Sequence, residues 1–165
     1  MVRIPLRDRH GEITAYALVD DCDARFAELS WHRDRKGYAS GRAYLGLDGG
    51  RKRYRHLLLH REVLGLKTGD PRQGDHINGD RLDCRRSNLR VVTLAENNQN
   101  TSSREGSSSR FRGVHRRGGQ RKWVASVKSG GRTNYLGSFE REEDAAAAAA
   151  AFRAEHMPFA VESAI

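Results

Sequence analysis

The sequence predicts an α+β fold made of two small units, each combining short antiparallel strands with a helix. The first observation is a strand, loop, strand, helix order across residues 74–97, with Asn78-Gly79 as a strong turn signal in the loop. The second is a set of three short extended runs and an alanine-rich helical segment across residues 111–156. Between the two units, residues 101–110 have the Ser, Arg and Gly composition of a flexible linker.

Charge and composition predict the kind of partner. The 165 residues suit one compact domain or two small ones. They include 30 Lys plus Arg against 21 Asp plus Glu, a formal charge of +9, which favours a polyanion and nucleic acid before membrane. No apolar stretch approaches the about 18 residues of a membrane span. Charges throughout residues 1–20 and two distant cysteines, Cys22 and Cys84, lead us to expect a reducing, intracellular setting.

Residues 1–58 are predicted to be a small α+β lead-in. A strand is expected at Ile13–Val19, followed by a helix at about Cys22–Leu29 that Asp20 or Asp21 could cap. This part of the chain carries no residue pattern to which we assign chemistry.

A basic hairpin is expected at the end of this lead-in. The extended runs Tyr38–Leu47 and Lys52–Leu59 are joined by Asp48-Gly49-Gly50. The cations of the second strand form either a solvated face or a contact to a nucleic-acid backbone, and the sequence favours neither. They are Arg51, Lys52, Arg53 and Arg55.

Four polar side chains suited to phosphodiester hydrolysis fall in the strand, loop, strand, helix segment. His76 could take a proton from water at neutral pH, because a neutral imidazole titrates near pH 6.5. Asp75 and Asn97 offer hard oxygen ligands of the kind Mg²⁺ prefers. The element order brings these residues and Asn88 close together, with Thr93 as a good N-cap for the helix.

This spacing resembles that of the HNH endonucleases of the His-Me finger (ββα-metal) class, in the branch whose third position is Asn. The resemblance implies a nuclease core at residues 59–100, with His76 as general base and Asn88 as the residue that braces the loop and the His-bearing strand. It also implies that Asp75 and Asn97 hold Mg²⁺ or another divalent cation such as Mn²⁺. Leading segments similar to those of phage HNH endonucleases are Val19-Asp20-Asp21, Trp31, Gly37-Tyr38-Ala39 and Leu59-His60-Arg61.

Blander interpretations of the same residues exist. The Asp-His-x-Asn-Gly pattern also suits an ordinary hairpin turn. A zinc site from Cys84, His76 and His60 is the weaker chemical alternative, because no Cys-x-x-Cys or His-x-x-x-His pair accompanies them. We assign no chemistry to His60, for which packing at a helix start is the expected role.

The second unit, residues 111–160, is predicted to be a three-stranded antiparallel sheet packed on one helix. Its runs are Phe111–Arg117, Lys122–Lys128 and Arg132–Phe139, separated by Gly-Gly turns, and the helix spans Glu140–His156 with seven consecutive alanines. Strand alternation predicts that one face of the sheet packs against the helix. Its residues are Val114, Trp123, Ala125, Val127 and Leu136.

This second unit resembles the APETALA-two/ethylene-response-factor DNA-binding domain, whose sheet lies in the major groove. The motifs Phe111-Arg112-Gly113-Val114, Lys122-Trp123-Val124-Ala125 and Tyr135-Leu136-Gly137-Ser138-Phe139 carry the resemblance. His115 and Thr133 stand where the family often has Arg, so base preference does not transfer. The expected DNA-binding residues are Arg112, His115, Arg116, Arg117, Lys122, Ser126, Lys128 and Tyr135.

Together the two resemblances predict a phage or mobile-element endonuclease of the homing type, targeted to double-stranded DNA by its sheet unit. We expect a bacterial cytoplasmic protein with no membrane association and no small-molecule cofactor. A monomer with one His-Asn unit should nick a single strand. Two alternatives are a non-catalytic DNA-binding regulator that keeps the nuclease fold as scaffold and an RNA-directed nuclease.

Overall fold

The computed structural model describes residues 1–100, 106–116 and 118–160. The chain divides into two compact units, Met1–Asn97 and Asn98–Ile165. Both combine antiparallel strands with helices, so the predicted α+β class is confirmed. Half of the predicted linker, residues 101–105, lies outside the described residues.

A five-stranded sheet is the largest element of the first unit. Its spatial order is β2-β1-β3-β4-β5, and the neighbours pair antiparallel except for the parallel contact of β1 with β3. The hairpin and the strand at Ile13–Val19 were predicted, whereas the first and third strands were not. The strands are β1 Val2–Arg7, β2 Ile13–Val19, β3 Trp31–Arg33, β4 Ala39–Asp48 and β5 Arg51–Leu58.

A 3₁₀ helix, Asp21–Glu28, connects β2 to β3 where an α-helix was predicted. Asp20 precedes it in an extended conformation but makes no side-chain capping bond to it. Instead, the Asp20 carboxylate accepts a hydrogen bond from the Arg86 backbone N–H at 2.8 Å. The buried Trp31 donates its indole N–H to the Phe26 carbonyl at 2.7 Å, which ties the end of the 3₁₀ helix to β3.

The predicted nuclease core contains two short helices around a two-stranded sheet. These are α1 Leu59–Val63, β6 Gln73–His76, β7 Leu89–Val92 and α2 Leu94–Asn97, and β6 pairs antiparallel with β7. A capping box starts α2: the Glu96 N–H donates to the Thr93 hydroxyl at 3.2 Å, and the Thr93 N–H donates to the Glu96 carboxylate at 2.7 Å. The predicted N-cap at Thr93 is therefore confirmed.

The β6–β7 loop is joined to the five-stranded sheet through the backbone of β2. Leu18 donates its N–H to the Leu82 carbonyl and accepts from the Cys84 N–H, both at 2.8 Å. One apolar core contains residues from both parts, among them Val19 and Leu89. Burial of a large aliphatic side chain contributes about 1.5–3 kcal/mol, so residues 1–58 stabilise the segment that follows them.

The second unit is a three-stranded antiparallel sheet, order β10-β9-β8, packed on one helix. This confirms the predicted architecture. Ala145 and Ala149 are fully buried, because their small side chains let the helix approach the sheet closely. Among the described residues, no helix is long and apolar enough to cross a membrane. The elements are β8 Val114–Arg116, β9 Trp123–Ser129, β10 Arg132–Phe139 and α3 Glu142–His156.

Candidate active site

Asp75 and His76 lie at the end of β6, where the strand runs into the loop. They face Arg90 and Leu89 of β7 in the antiparallel register. Both side chains are buried, with 6% and 5% of their surface exposed. A carboxylate and an imidazole held this far from solvent need partners, since burial of unpaired charge is costly.

Asn88 closes the loop that leaves His76. Its side-chain oxygen accepts the Asn78 N–H at 3.0 Å, and its amide donates to the Asp83 carbonyl at 2.8 Å. Its backbone carbonyl accepts the Ile77 N–H at 2.8 Å. One buried side chain thus joins both arms of the loop, which is the arrangement the bracing role requires.

The turn after His76 depends on a glycine. The Gly79 N–H donates to the His76 carbonyl at 2.9 Å, and Gly79 adopts a φ of +76°. Side chains rarely tolerate this left-handed conformation, so the Asn78-Gly79 pair is a structural requirement of the loop.

His76 lies among aromatic rings and a thiol. Its ring centroid is 4.9 Å from that of His60 and 5.9 Å from that of Tyr38. Its Nε2 is 3.8 Å from the Cys84 sulfur. Burial lowers the pKa of His76, although Asp75 opposes the shift. The imidazole is therefore neutral at pH 7 and able to accept a proton.

His60 packs directly beneath β6. A Cβ on Gly74 would lie 2.8 Å from the His60 Cδ2, so only glycine lets the strand pass over this ring. His60 Nδ1 is buried and has no hydrogen-bond partner among the described residues. Burial, assisted by His76 and Arg61, lowers the pKa of His60 to about 3, so the ring is neutral at physiological pH.

The three residues of the zinc alternative, Cys84, His76 and His60, do come together around this point. Burial raises the pKa of the Cys84 thiol to about 12, so the thiol is protonated at neutral pH. Within the described part of the chain, no group of three or more His, Cys, Asp or Glu side chains is placed to hold a metal ion. The arrangement does not support a zinc site.

Arg90 is a site residue that sequence reasoning missed. It stands opposite Asp75 across the β6–β7 pair, and its Nε and Nη2 both lie 2.7 Å from the Asp75 Oδ2. Two charge-assisted hydrogen bonds to one oxygen fix the orientation of the carboxylate. The sequence could have indicated Arg90 through the antiparallel register of β6 and β7. This register pairs residues 75 and 90 once the position of the connecting loop is known.

Asp75 and Asn97, the predicted Mg²⁺ ligands, carry the carboxylate and amide oxygens that Mg²⁺ prefers. Asn97 donates its amide N–H to the Gln73 side-chain oxygen, an orientation that leaves the Asn97 carbonyl oxygen as the acceptor. Gln73 and Asp75 are two residues apart on β6 and share one face of the strand. One carboxylate and one amide oxygen suffice, because Mg²⁺ usually keeps several waters and binds substrate phosphate.

In the second unit, the predicted DNA-binding residues divide between the two faces of the sheet. Tyr135 stands opposite Ser126 in the register and is 66% exposed. By alternation, Lys128 and His115 share this face, which is opposite to the one that α3 covers. These four of the predicted residues are brought together.

Three other predicted residues are placed differently, and a fourth is not described. Arg116 lies over the Trp123 ring, 4.2 Å from its centroid, and by alternation belongs to the opposite face. Lys122 pairs with Glu140 at 3.0 Å. Arg112 donates to the Gln99 carbonyl, and Arg117 lies outside the described residues.

Comparison with known protein families gives a match in the region that contains Asp75 and His76. Residues 57–99 match the family model described as HNH endonuclease. This HNH segment (residues 57–99) contains α1, β6, β7 and α2, together with Asp75, His76, Asn88 and Asn97. The match supports a nuclease-type function in general terms. In a comparison with curated proteins, none matched the chain.

The HNH segment ends at residue 99, before the strands and helix of the second unit. The resemblance of residues 111–160 to the APETALA-two/ethylene-response-factor domain therefore stays a prediction. What the structure establishes there is a three-stranded sheet on one helix, whose face away from α3 carries the exposed Tyr135 and Lys128.

Proposed function

We propose that the chain is a metal-dependent DNA endonuclease of the HNH type that nicks one strand of a duplex. The observation that carries this proposal is the closed arrangement of Asp75, His76 and Asn88 at the end of β6, inside the segment that matches the HNH family.

His76 is the general base in this proposal. Its neutral imidazole takes a proton from the attacking water, and a positioned base of this kind contributes roughly 10²–10⁴ in rate. Burial keeps the pKa of His76 low, so the base is available at neutral pH. Asn88 and the glycine turn at residue 79 hold the strand end from which the imidazole projects.

Asp75 and Asn97 are the residues that would hold Mg²⁺ or Mn²⁺. When bound, such an ion supplies Lewis-acid polarisation of the phosphate and charge stabilisation of the leaving oxygen. Arg90 holds the Asp75 carboxylate in one orientation, and Gln73 does the same for the Asn97 amide. Both contacts reduce the reorganisation that binding of the ion requires.

The second unit is the targeting module in this proposal. The sheet face away from α3, with His115, Ser126, Lys128 and Tyr135, would lie against duplex DNA, as in the APETALA-two/ethylene-response-factor family. A phage or mobile-element origin and a bacterial cytoplasmic location follow from the same resemblances. One catalytic set per chain supports nicking by a monomer.

Supercoiled plasmid tests the proposal directly. With Mg²⁺ the protein should convert supercoiled DNA to the nicked circle before any linear form accumulates, and EDTA should prevent the conversion. A structured RNA of similar length, incubated in parallel, should remain intact. Unchanged plasmid under all metal conditions, with DNA binding present, would favour the non-catalytic regulator instead.

A further inference from the structure

The β4–β5 hairpin extends beyond the part of the sheet that packs against the core. Ala39, Ser40 and Leu57, near its base, are buried. From Tyr44 to Tyr54, every residue except Gly46 is exposed to solvent, on both faces of the ribbon. The outer hairpin is therefore an arm whose two faces are both available to partners.

The strand register sorts the side chains of this arm into two faces. Tyr44 stands opposite Tyr54 and Leu47 opposite Lys52, with a bulge between the two pairs. Alternation along β5 places these side chains on one side of the ribbon and Arg51, Arg53 and Arg55 on the other. We define the aromatic face as Arg42, Tyr44, Leu47, Lys52 and Tyr54.

The two faces differ in how their charges are compensated. On the arginine side, Arg53 pairs with Asp48 at 3.0 Å and Arg55 with Glu62 at 2.9 Å. On the aromatic face, neither Arg42 nor Lys52 has an acidic partner among the described residues. The positive charge of the aromatic face is thus directed outward, toward an anionic partner.

The aromatic face also presents apolar surface. The Tyr44 and Tyr54 rings lie with centroids 5.5 Å apart and are 55% and 50% exposed, and Leu47 is 66% exposed. Exposed rings interleaved with cations are the combination with which proteins bind single-stranded nucleic acid, where bases stack on rings and cations follow the phosphates.

We propose that the aromatic face binds a single-stranded segment of nucleic acid. A duplex offers only base edges to a protein, since the base faces are stacked on each other, whereas unpaired bases can stack on Tyr44 and Tyr54. Phosphate contact alone would need cations and would leave the two rings and Leu47 without a role. The proposal is independent of cleavage, because binding to this face requires neither metal nor His76.

Fluorescence anisotropy with the full chain in EDTA tests this. The probes are labelled oligo-dT of about 12 nucleotides, oligo-U of the same length and a duplex of mixed sequence. Tyr44→Ala/Tyr54→Ala should weaken binding of the single-stranded probes by about tenfold or more and change duplex binding by less than about twofold. Whichever of oligo-dT and oligo-U binds more tightly identifies the natural strand.

Tyr16→Ala is the matched control. Tyr16 is another partly exposed tyrosine of the same sheet, with Arg3 4.1 Å from its ring centroid, but it lies on β2 away from the arm. The Tyr16→Ala substitution should leave binding of the single-stranded probes unchanged. Thermal melting should show that the double variant remains folded, since both rings are solvent-exposed.

A charge variant keeps the test decisive if the tyrosine variant fails to fold. Arg42→Gln/Lys52→Gln should lower the slope of log affinity against log salt for oligo-dT by about 1.4, from about 0.7 per neutralised phosphate. The proposal is overturned by equal losses on duplex and single strand, or by unchanged single-strand binding in both variants. Nicking is assayed separately with Mg²⁺, so failure of the nuclease proposal leaves this result standing.

Discussion

At the scale of single residues, His60 gives the protein a specific acid sensitivity. Its folded-state pKa of about 3 lies below the unfolded value near 6.5. Between these values the unfolded chain binds a proton that the folded chain does not. Stability is therefore complete above pH 6.5 and declines as the pH falls toward 3, by up to about 1.4 kcal/mol per pH unit from this group.

His60→Gln should flatten this acid dependence. Urea unfolding at pH values from 4 to 7 measures the free energy of unfolding. The slope of this free energy against pH should be smaller in the variant, by close to the contribution of one bound proton. His76 continues to contribute, because its pKa is lowered as well. His32→Gln, at an exposed histidine of β3, is the control and should leave the slope unchanged. An identical acid dependence in His60→Gln and wild type would contradict the neutral, buried state of His60.

Asn88→Ala is predicted to act through stability. The substitution removes the acceptor of the Asn78 N–H and the donor to the Asp83 carbonyl. Both of these partners belong to the β6–β7 loop. Loss of buried partners of this kind costs about 1–3 kcal/mol. Chemical denaturation should show that loss together with reduced nicking. The neighbouring exposed Ser87→Ala should change neither, and unchanged stability in Asn88→Ala would exclude the bracing role.

Site residues could be predicted from the sequence only where the pattern that marks them is local in the chain. The spacing of Asp75, His76, Asn88 and Asn97 is a property of the chain itself, so it could be read directly. The contact of Arg90 with Asp75 requires the β6–β7 register, and the packing of His60 under Gly74 requires tertiary structure. Periodicity and charge carry neither kind of information.

At the scale of elements, the 3₁₀ helix is joined to the β6–β7 loop by one arginine. The Arg86 Nε and Nη2 donate to the two oxygens of the fully buried Asp23 at 2.7 and 2.8 Å. These bonds lower the pKa of Asp23. The stabilisation is present above the ordinary carboxyl pKa and is lost as the pH falls through the lowered value.

Arg86→Gln should therefore loosen the loop from the sheet. Breaking a buried pair costs about 3–5 kcal/mol, and because half of the Arg86 side chain is exposed we expect about 1–3 kcal/mol. The melting temperature at pH 7 measures the loss. Arg25→Gln is the control, since Arg25 reaches the same carboxylate only at 3.7 Å and is more exposed. Equal effects of the two substitutions would show that the bidentate contact is unimportant.

Sequence patterns found the elements that have regular alternation or clear turn signals. The strand Ile13–Val19, the hairpin and the three strands of the second unit were all expected. The strand Val2–Arg7 was missed because Pro5 cannot donate to a ladder and weakens a strand pattern. The strand Trp31–Arg33 has only three residues, too few for alternation to be recognised.

At the scale of the whole molecule, the two units are predicted to divide catalysis and DNA binding. Each neutralised phosphate contributes about −0.9 to the slope of log affinity against log salt on duplex DNA. Deletion of residues 106–165 should flatten that slope by several units and reduce sequence discrimination, because the removed part is rich in cations. These are Arg112, Arg116, Arg117, Arg121, Lys122, Lys128 and Arg132.

The truncated chain keeps all of the HNH segment and should retain weak, less selective nicking with Mg²⁺. Competition between specific and nonspecific duplexes measures the discrimination, and salt titration measures the slope. If the truncated chain binds and selects DNA as well as the full chain, the sheet unit is not the reader.

The most direct measurement is the single-turnover nicking rate of His76→Ala, taken together with its DNA affinity and compared with His32→Ala. A base that acts on water contributes little to ground-state binding. His76→Ala should therefore cut roughly 10²–10⁴ times more slowly than wild type, with an affinity within about twofold, while His32→Ala behaves as wild type. Nicking by His76→Ala at the wild-type rate would contradict the assignment of His76 as the base.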